Sequence, residues 1–195
     1  MPKVDSDPWT EITTHRGFPA DQVISAIQKE IRRGNAENAV LLAHEMVMTG
    51  PALEDYLWQR LMVISVEDIG FGEPTAPVLI NSLHQMLSTF DRSAPDRELF
   101  AVHAVRYLSG CRKDRSSDEM TLWAKMASER GDALPVIPDY ALDMHTADGK
   151  TMGRGLRHFL EVGARVNPEL SDRDRTYHDR IMKMLDEQDP PAANR

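Results

Sequence analysis

Hydrophobic residues recur along most of this chain at intervals of three and four, the spacing of one face of a helix. Val23, Ile24, Ile27 and Ile31 form such a stripe after Pro19, and Arg32, Arg33 and Gly34 supply a helix end. Asn35 is a good N-cap for a second helix, lined by Ala39, Val40, Ala43, Met46 and Val47 and closed by Gly50-Pro51. The short link between the two makes them antiparallel neighbours. A third helix runs from about Leu53, with Leu57, Leu61 and Ile64 beside Trp58, Met62 and Val66. Two adjoining apolar faces place it in the middle of a core. A fourth follows Pro77 (Val78, Leu79, Leu83, Met86, Leu87, Phe90), and a fifth begins near Pro95-Asp96 (Leu99, Phe100, Val102, Val105, Leu108). A sixth is expected to be capped by Ser116 or Ser117, to pack through Met120, Trp123, Ala124 and Ala127, and to stop at Gly131. No alternating strand pattern competes in this part of the chain.

The pattern changes beyond residue 132. Residues 133–155 hold Pro135, Pro138, Asp139, Asp143, His145 and Lys150 without a sustained apolar period, which predicts a long ordered loop. A seventh helix is expected over 156–164 and a charged eighth over 171–185. The fold class that follows is all-α, a bundle of about seven or eight helices. Residues 1–17 read as a mobile or loosely docked lead-in, 18–132 as the main helical domain, 133–185 as a loop and helices packed on the same domain, and 186–195 as a flexible tail.

The organising stretch lies at the end of the third helix, where Glu67 and Asp68 arrive while the helix is still running. Carboxylates there sit at the unfavourable end of the helix dipole and call for partners. Arg60, about two turns before Glu67, shares its side of the helix, and an arginine from the next helix is a second candidate. Gly70 and Gly72 permit the backbone to turn away, and Pro74 prevents resumption. Adjacent helical residues project about 100° apart, so Glu67 and Asp68 are not expected to converge on one substrate atom. A structural pairing role is the reading for Arg60, Glu67, Asp68 and Gly70.

Composition narrows the function classes. The 195 residues carry 23 basic and 31 acidic side chains, a formal net charge of −8, which argues against broad non-specific nucleic-acid binding. The single cysteine, Cys111, cannot form an internal disulfide. With no signal-peptide pattern and no apolar run of membrane-spanning length, the expectation is a cytoplasmic protein with no membrane contact. Gly149-Lys150-Thr151 invites a phosphate-loop reading but lacks the earlier glycine and the leading strand. Lys150, Arg154 and Arg157, at the start of the seventh helix, are candidate anion or DNA contacts, with Arg112, Lys113 and Arg115 as further ones. Asp139, Asp143, His145 and His158 form a possible polar site, which could supply nitrogen and oxygen ligands to a divalent metal. Their spacing matches no metal signature, so packing and hydrogen bonding within the loop is the primary reading. His44, His84 and His103 sit on separate helices, and the sequence points to no catalytic pairing of any of them with a nucleophile or carboxylate. The chain is therefore expected to have no catalytic residues, no resident metal and no cofactor. The methionines fall mainly on helices and fill the core or line a subunit interface.

Two segments, taken together, carry a family resemblance. One is Val23-Ile-Ser-Ala-Ile-Gln-Lys-Glu-Ile-Arg-Arg-Gly-Asn-Ala-Glu-Asn-Ala-Val; the other runs from Arg60 through Ser65-Val-Glu-Asp-Ile-Gly. With Val105-Arg-Tyr-Leu-Ser they resemble the region after the ATPase core in the replication-associated recombination protein A family of AAA+ ATPases. The resemblance covers about residues 23–138. Cys111-Arg-Lys-Asp departs from that family's Pro-Lys-Ser turn, and the segment after Pro138 diverges. The sequence contains no G-x-x-x-x-G-K-[ST] motif. The resemblance implies a clamp-loader-collar-like helical module, a homo-oligomer (dimer or tetramer), and partners among replication or repair proteins. It carries no ATP hydrolysis across. A DNA-binding module and, less favoured, a metal-dependent enzyme at 139–158 are the alternative readings.

Overall fold

The computed structural model of the chain describes residues 7–188. Residues 1–6 of the expected lead-in and 189–195 of the expected tail lie outside the described residues. All regular elements among the described residues are helical, with one isolated bridge between Thr13 and Pro19. The fold is all-α, and the chain divides into two compact units, Met1–Ala133 and Leu134–Arg195.

The first unit holds α1 (Ala20–Arg33), α2 (Ala36–Thr49), α3 (Pro51–Ile64), α4 (Ala76–Leu87), α5 (Asp96–Gly110) and α6 (Ser116–Arg130). The first helix buries Val23, Ile27 and Ile31, as their spacing requires, and ends at Gly34 in the left-handed conformation. It pairs with α2, which in turn packs on α3 and α5. At the centre of the core, α3 buries Leu53, Leu57, Trp58, Leu61 and Ile64. Ile80, Leu83 and Leu87 of α4 and Ala101, Ala104, Val105 and Leu108 of α5 close around it. Fully burying each large aliphatic side chain contributes roughly 1.5–3 kcal/mol relative to exposure, so this continuous cluster is the main stabilising term of the unit.

Several local expectations are corrected. The lead-in is seated from Asp7 onward. Asp7 caps a 3-10 turn at Pro8–Glu11, Trp9 packs on Tyr56 with ring centroids 4.8 Å apart, and the Arg16 amide donates to Glu45 at 2.7 Å. Asn35 takes the N-cap position of α2 but makes no side-chain capping bond. For α6 the cap position belongs to Arg115, and the Ser116 amide is held instead by the Asp114 carboxylate at 2.9 Å. The expected packing face of α6 is mostly in solvent: Ala127 is its one buried residue, whereas Met120 and Trp123 are 67% and 57% exposed.

The second unit holds a 3-10 turn at Asp139–Ala141, α7 (Ala147–Thr151), α8 (Leu156–His158) continuing into a π-helical turn over Phe159–Gly163, and α9 (Thr176–Gln188). The last helix begins five residues later than expected, where Asp174 accepts from the Thr176 amide at 2.8 Å. It runs to Gln188, so Asp186, expected in a frayed tail, is helical.

Candidate functional site

Following α3 without a break, the backbone widens into a single π-helical turn, Ser65–Ile69, which carries Glu67 and Asp68. Such turns are one-residue dilations of a helix and often mark functional positions. The dilation, together with the longer Glu67 side chain, brings the two carboxylates onto shared donors, contrary to the divergence expected of adjacent helical residues. Arg115 Nη1 lies 2.7 Å from Asp68 Oδ1 and 3.3 Å from Glu67 Oε1. Gln28 Nε2 donates to Glu67 at 2.9 Å and to Asp68 at 3.0 Å. Arg32 donates through Nε to Asp68 and through Nη2 to Glu67 at 3.2 Å. Arg60, the partner expected from sequence, reaches Glu67 only at 4.0 Å and donates instead to the side-chain amide oxygen Oε1 of Gln28.

The Asp68 side chain is fully buried, whereas Arg32 and Arg115 keep 29% and 30% exposure. A buried carboxylate is tolerated only when charge partners replace its water. Here guanidinium groups from α1 and from the start of α6 supply them. Arg115 is held above the ordinary arginine range, chiefly by its hydrogen bond to Asp68. The site thus ties three segments far apart in sequence into one rigid body. The α5–α6 connection is drawn in by backbone as well: the Asp114 amide donates to the Asp68 and Ile69 carbonyls at 3.1 Å each. Gly70 has φ +49°, and a Cβ there would come within 2.4 Å of the Asp114 carbonyl oxygen; at Gly72 it would meet that of Arg112 at 2.5 Å. The close approach calls for glycine at both positions, and at Gly70 the positive φ does so as well.

Sequence reasoning placed Arg60, Glu67, Asp68 and Gly70 in one locality, and all four are there. It missed Gln28 and Arg32 and assigned Arg115 elsewhere. The signal for the first two was present: Gln28 and Arg32 stand one helical turn apart beside Ile27 and Ile31, the edge of a buried stripe. Lys113, grouped with Arg115 as a possible DNA contact, turns back to cap α5. Its Nζ donates to the Leu108, Ser109 and Cys111 carbonyls at 2.9, 3.1 and 2.6 Å. Arg112 is exposed. A second buried pair, unforeseen in sequence, joins Glu54 of α3 to Arg97 of α5 at 2.8 Å, and Arg97 also caps the Leu87 and Phe90 carbonyls at 3.0 Å.

The polar residues of the second unit do not assemble into one site. Arg154 clamps Asp139 with two bonds of 2.7 and 2.9 Å and reaches the Asp139 and Leu142 carbonyls. Asp143 is buried and accepts from the His145 amide at 2.9 Å, while His145 Nδ1 lies 3.1 Å from the same carboxylate. Donation from that amide, supported by the imidazole, holds the Asp143 carboxyl below the ordinary range. His145 stacks edge-on against Phe159, and His158 joins neither aspartate. Among the described residues no group of three His, Cys, Asp or Glu side chains is arranged to hold a metal ion. Of the basic trio, Arg154 is committed to Asp139 and Arg157 pairs with Asp186 at 2.7 Å, leaving Lys150 exposed. Among the described residues no helix is long and apolar enough to cross a membrane.

The first unit is thus all-helical, with Glu67 and Asp68 bound to internal donors. No family model matches the chain. Replication-associated recombination protein A of Bacillus subtilis (strain 168) is 28% identical over 136 residues, 69% of this chain and 31% of that protein. The chain is a distant relative of that family, and its helical structure fits a C-terminal region of it. It spans 31% of the length of the relative it matches.

Proposed function

We propose that this chain is a non-catalytic assembly module of a AAA+-related protein of DNA replication or recombination repair, resembling a clamp-loader collar. The observation that carries the reading is the state of Glu67 and Asp68. Both carboxylates are occupied by Gln28, Arg32 and Arg115, so the turn braces α1, α3 and α6 and leaves no free acid–base pair for chemistry. Around that brace the first unit leaves large apolar side chains in solvent, among them Val66, Phe71, Met120 and Trp123. Rigid helical faces with exposed apolar groups serve association between subunits or with replication and repair proteins. Light scattering across a concentration series tests the reading: a dimer or tetramer is expected, and a monomer at every concentration overturns it.

A second reading, DNA contact, draws on the second unit, where Arg165, Arg173, Arg175 and His178 line one concave surface together with Glu161 and Glu169, the latter paired with Arg173. Retention of duplex DNA that falls steeply with salt would support it, and no retention at low salt removes it.

A further inference from the structure

We propose that the exposed stripe of α6 is the contact between two copies of this chain, which pair antiparallel about a two-fold axis near Ala124 and Lys125. The inference rests on the assembly-module reading and goes beyond it by naming the surface and its geometry. Where α6 meets the turn that carries Glu67, the groove between them is lined on the α6 side by polar residues, Ser117, Asp118 and Thr121. Its apolar residues lie on another face. Glu119, Leu122, Trp123, Met126 and Arg130 recur at intervals of three and four, which puts them on one face of the helix. With Ala127, Asp132 and Ala133 they line an open groove in which Arg130 pairs with Asp132 at 2.7 Å, both side chains more than half exposed and free to share a second partner, and Leu122, Trp123 and Met126 are each about half exposed. An amphipathic helix whose greasy side points away from its own core lacks a partner within the unit.

The order of residues identifies the occupant. Read from its two ends the stripe is complementary to itself. An antiparallel copy centred between Ala124 and Lys125 sets Glu119 against Arg130 of the second copy, Leu122 against its Ala127, and Trp123 against its Met126. Each contact occurs twice, as an isologous interface demands. The pairing puts opposite charges at both rims, a small residue against a large one, and a sulfur against an indole at the centre. A parallel arrangement would bring Glu119 to Glu119 and Arg130 to Arg130, so charge selects the antiparallel one. Trp and Arg are also residue types that dominate interface energetics.

The test is sedimentation velocity of the full chain over a concentration series, with charge-swap variants. Trp123→Asp should raise the dissociation constant by about a hundredfold or more, because it removes a central anchor. Glu119→Arg and Arg130→Glu should each weaken association by about tenfold at low salt, and the double variant should restore it, since the swapped pair again has opposite signs. Melting temperatures should stay at the parent value when measured at concentrations low enough for parent and variants alike to be monomeric, because all three side chains are exposed within one copy. Association unchanged by Trp123→Asp, or charge reversals that fail to rescue each other, overturns the α6 interface while leaving an assembly module using another face. A parent chain that never associates overturns the assembly reading itself.

Discussion

The two units of this molecule are held together by different physics. In the first, an unbroken apolar cluster runs through α1 to α5, and buried charges sit at its edges as clasps. In the second, the buried residues among those described are Asp143 and Gly149, one carboxylate and one residue without a side chain. Its order comes from polar bonds: the Arg154 fork on Asp139, the His145 amide and ring on Asp143, and the Thr146 hydroxyl accepting from the Gly149 amide at 3.0 Å. The first kind of order loses stability through cavities and orphaned charges, the second through protonation and salt.

The sharpest way to break the contrast is a cavity. Leu57→Ala empties a fully buried position in α3 and should cost the first unit about 3 kcal/mol, seen as an earlier unfolding transition in denaturant. The matching change in the second unit, Leu170→Ala, removes a side chain that is 71% exposed and should stay within about 0.5 kcal/mol of parent. Equal effects would mean that the second unit has an apolar core after all.

Next in size is the clasp. Asp68→Ala removes the buried counter-charge of Arg32 and Arg115 and leaves them sharing the partly exposed Glu67, at a cost of about 3 kcal/mol, moderated by that carboxylate and by the solvent the arginines still see. Hydrogen exchange should speed up at the start of α6 and the end of α1 together, because one carboxylate serves both. If only the turn itself loosens, the carboxylate does not couple those segments.

What could be read in the sequence follows the same division. Apolar periodicity located α1 to α5 because burial imposes it, and the acidic turn stood out because two carboxylates at a helix end need an explanation. For α6 the sequence reading chose Met120, Trp123, Ala124 and Ala127 as the packing side, of which only Ala127 is buried, because period says which residues can share a face and not what that face meets. The arginine partners were hidden for another reason. The edge of a buried stripe places Gln28 and Arg32 near the core but does not name a partner across 36 residues, and Arg32 served equally well as a helix-terminal charge until its contact with Asp68 was known. In the second unit the polar residues named together do not form one group, and the pairing of Asp139 with Arg154 and Asp143 with His145 depends on loop backbone that no periodicity encodes.

A smaller effect separates conformation from charge. Gly70→Ala places a Cβ against the Asp114 carbonyl at a positive φ, so both strain and collision oppose it, for about 2 kcal/mol. The carboxylates remain in place in this variant. A loss of protection confined to 111–115 would show that the close approach of the two loops, and not the ion pairs alone, seats α6.

The smallest effect is the most selective for the second unit. The Asp143 carboxyl is held below its ordinary range first by the His145 amide and then by the His145 side chain. A depressed carboxylate contributes stability above its unfolded value, and the contribution is lost as pH falls through the lower folded value. Acidification through the carboxylate range should therefore loosen 143–151 progressively, and Asp143→Asn should flatten that dependence within the second unit. Glu45 offers the control in the first unit. Burial opposes its ionisation, but the Arg16 amide and the Thr14 hydroxyl more than compensate, so its carboxyl is also held low. Its protonation should release the Thr14–Phe18 turn while the apolar core beneath α2 stays closed. If amide exchange in α3 follows the same acid titration, the separation between apolar and polar order fails, because protonating an edge carboxylate would then be opening the core.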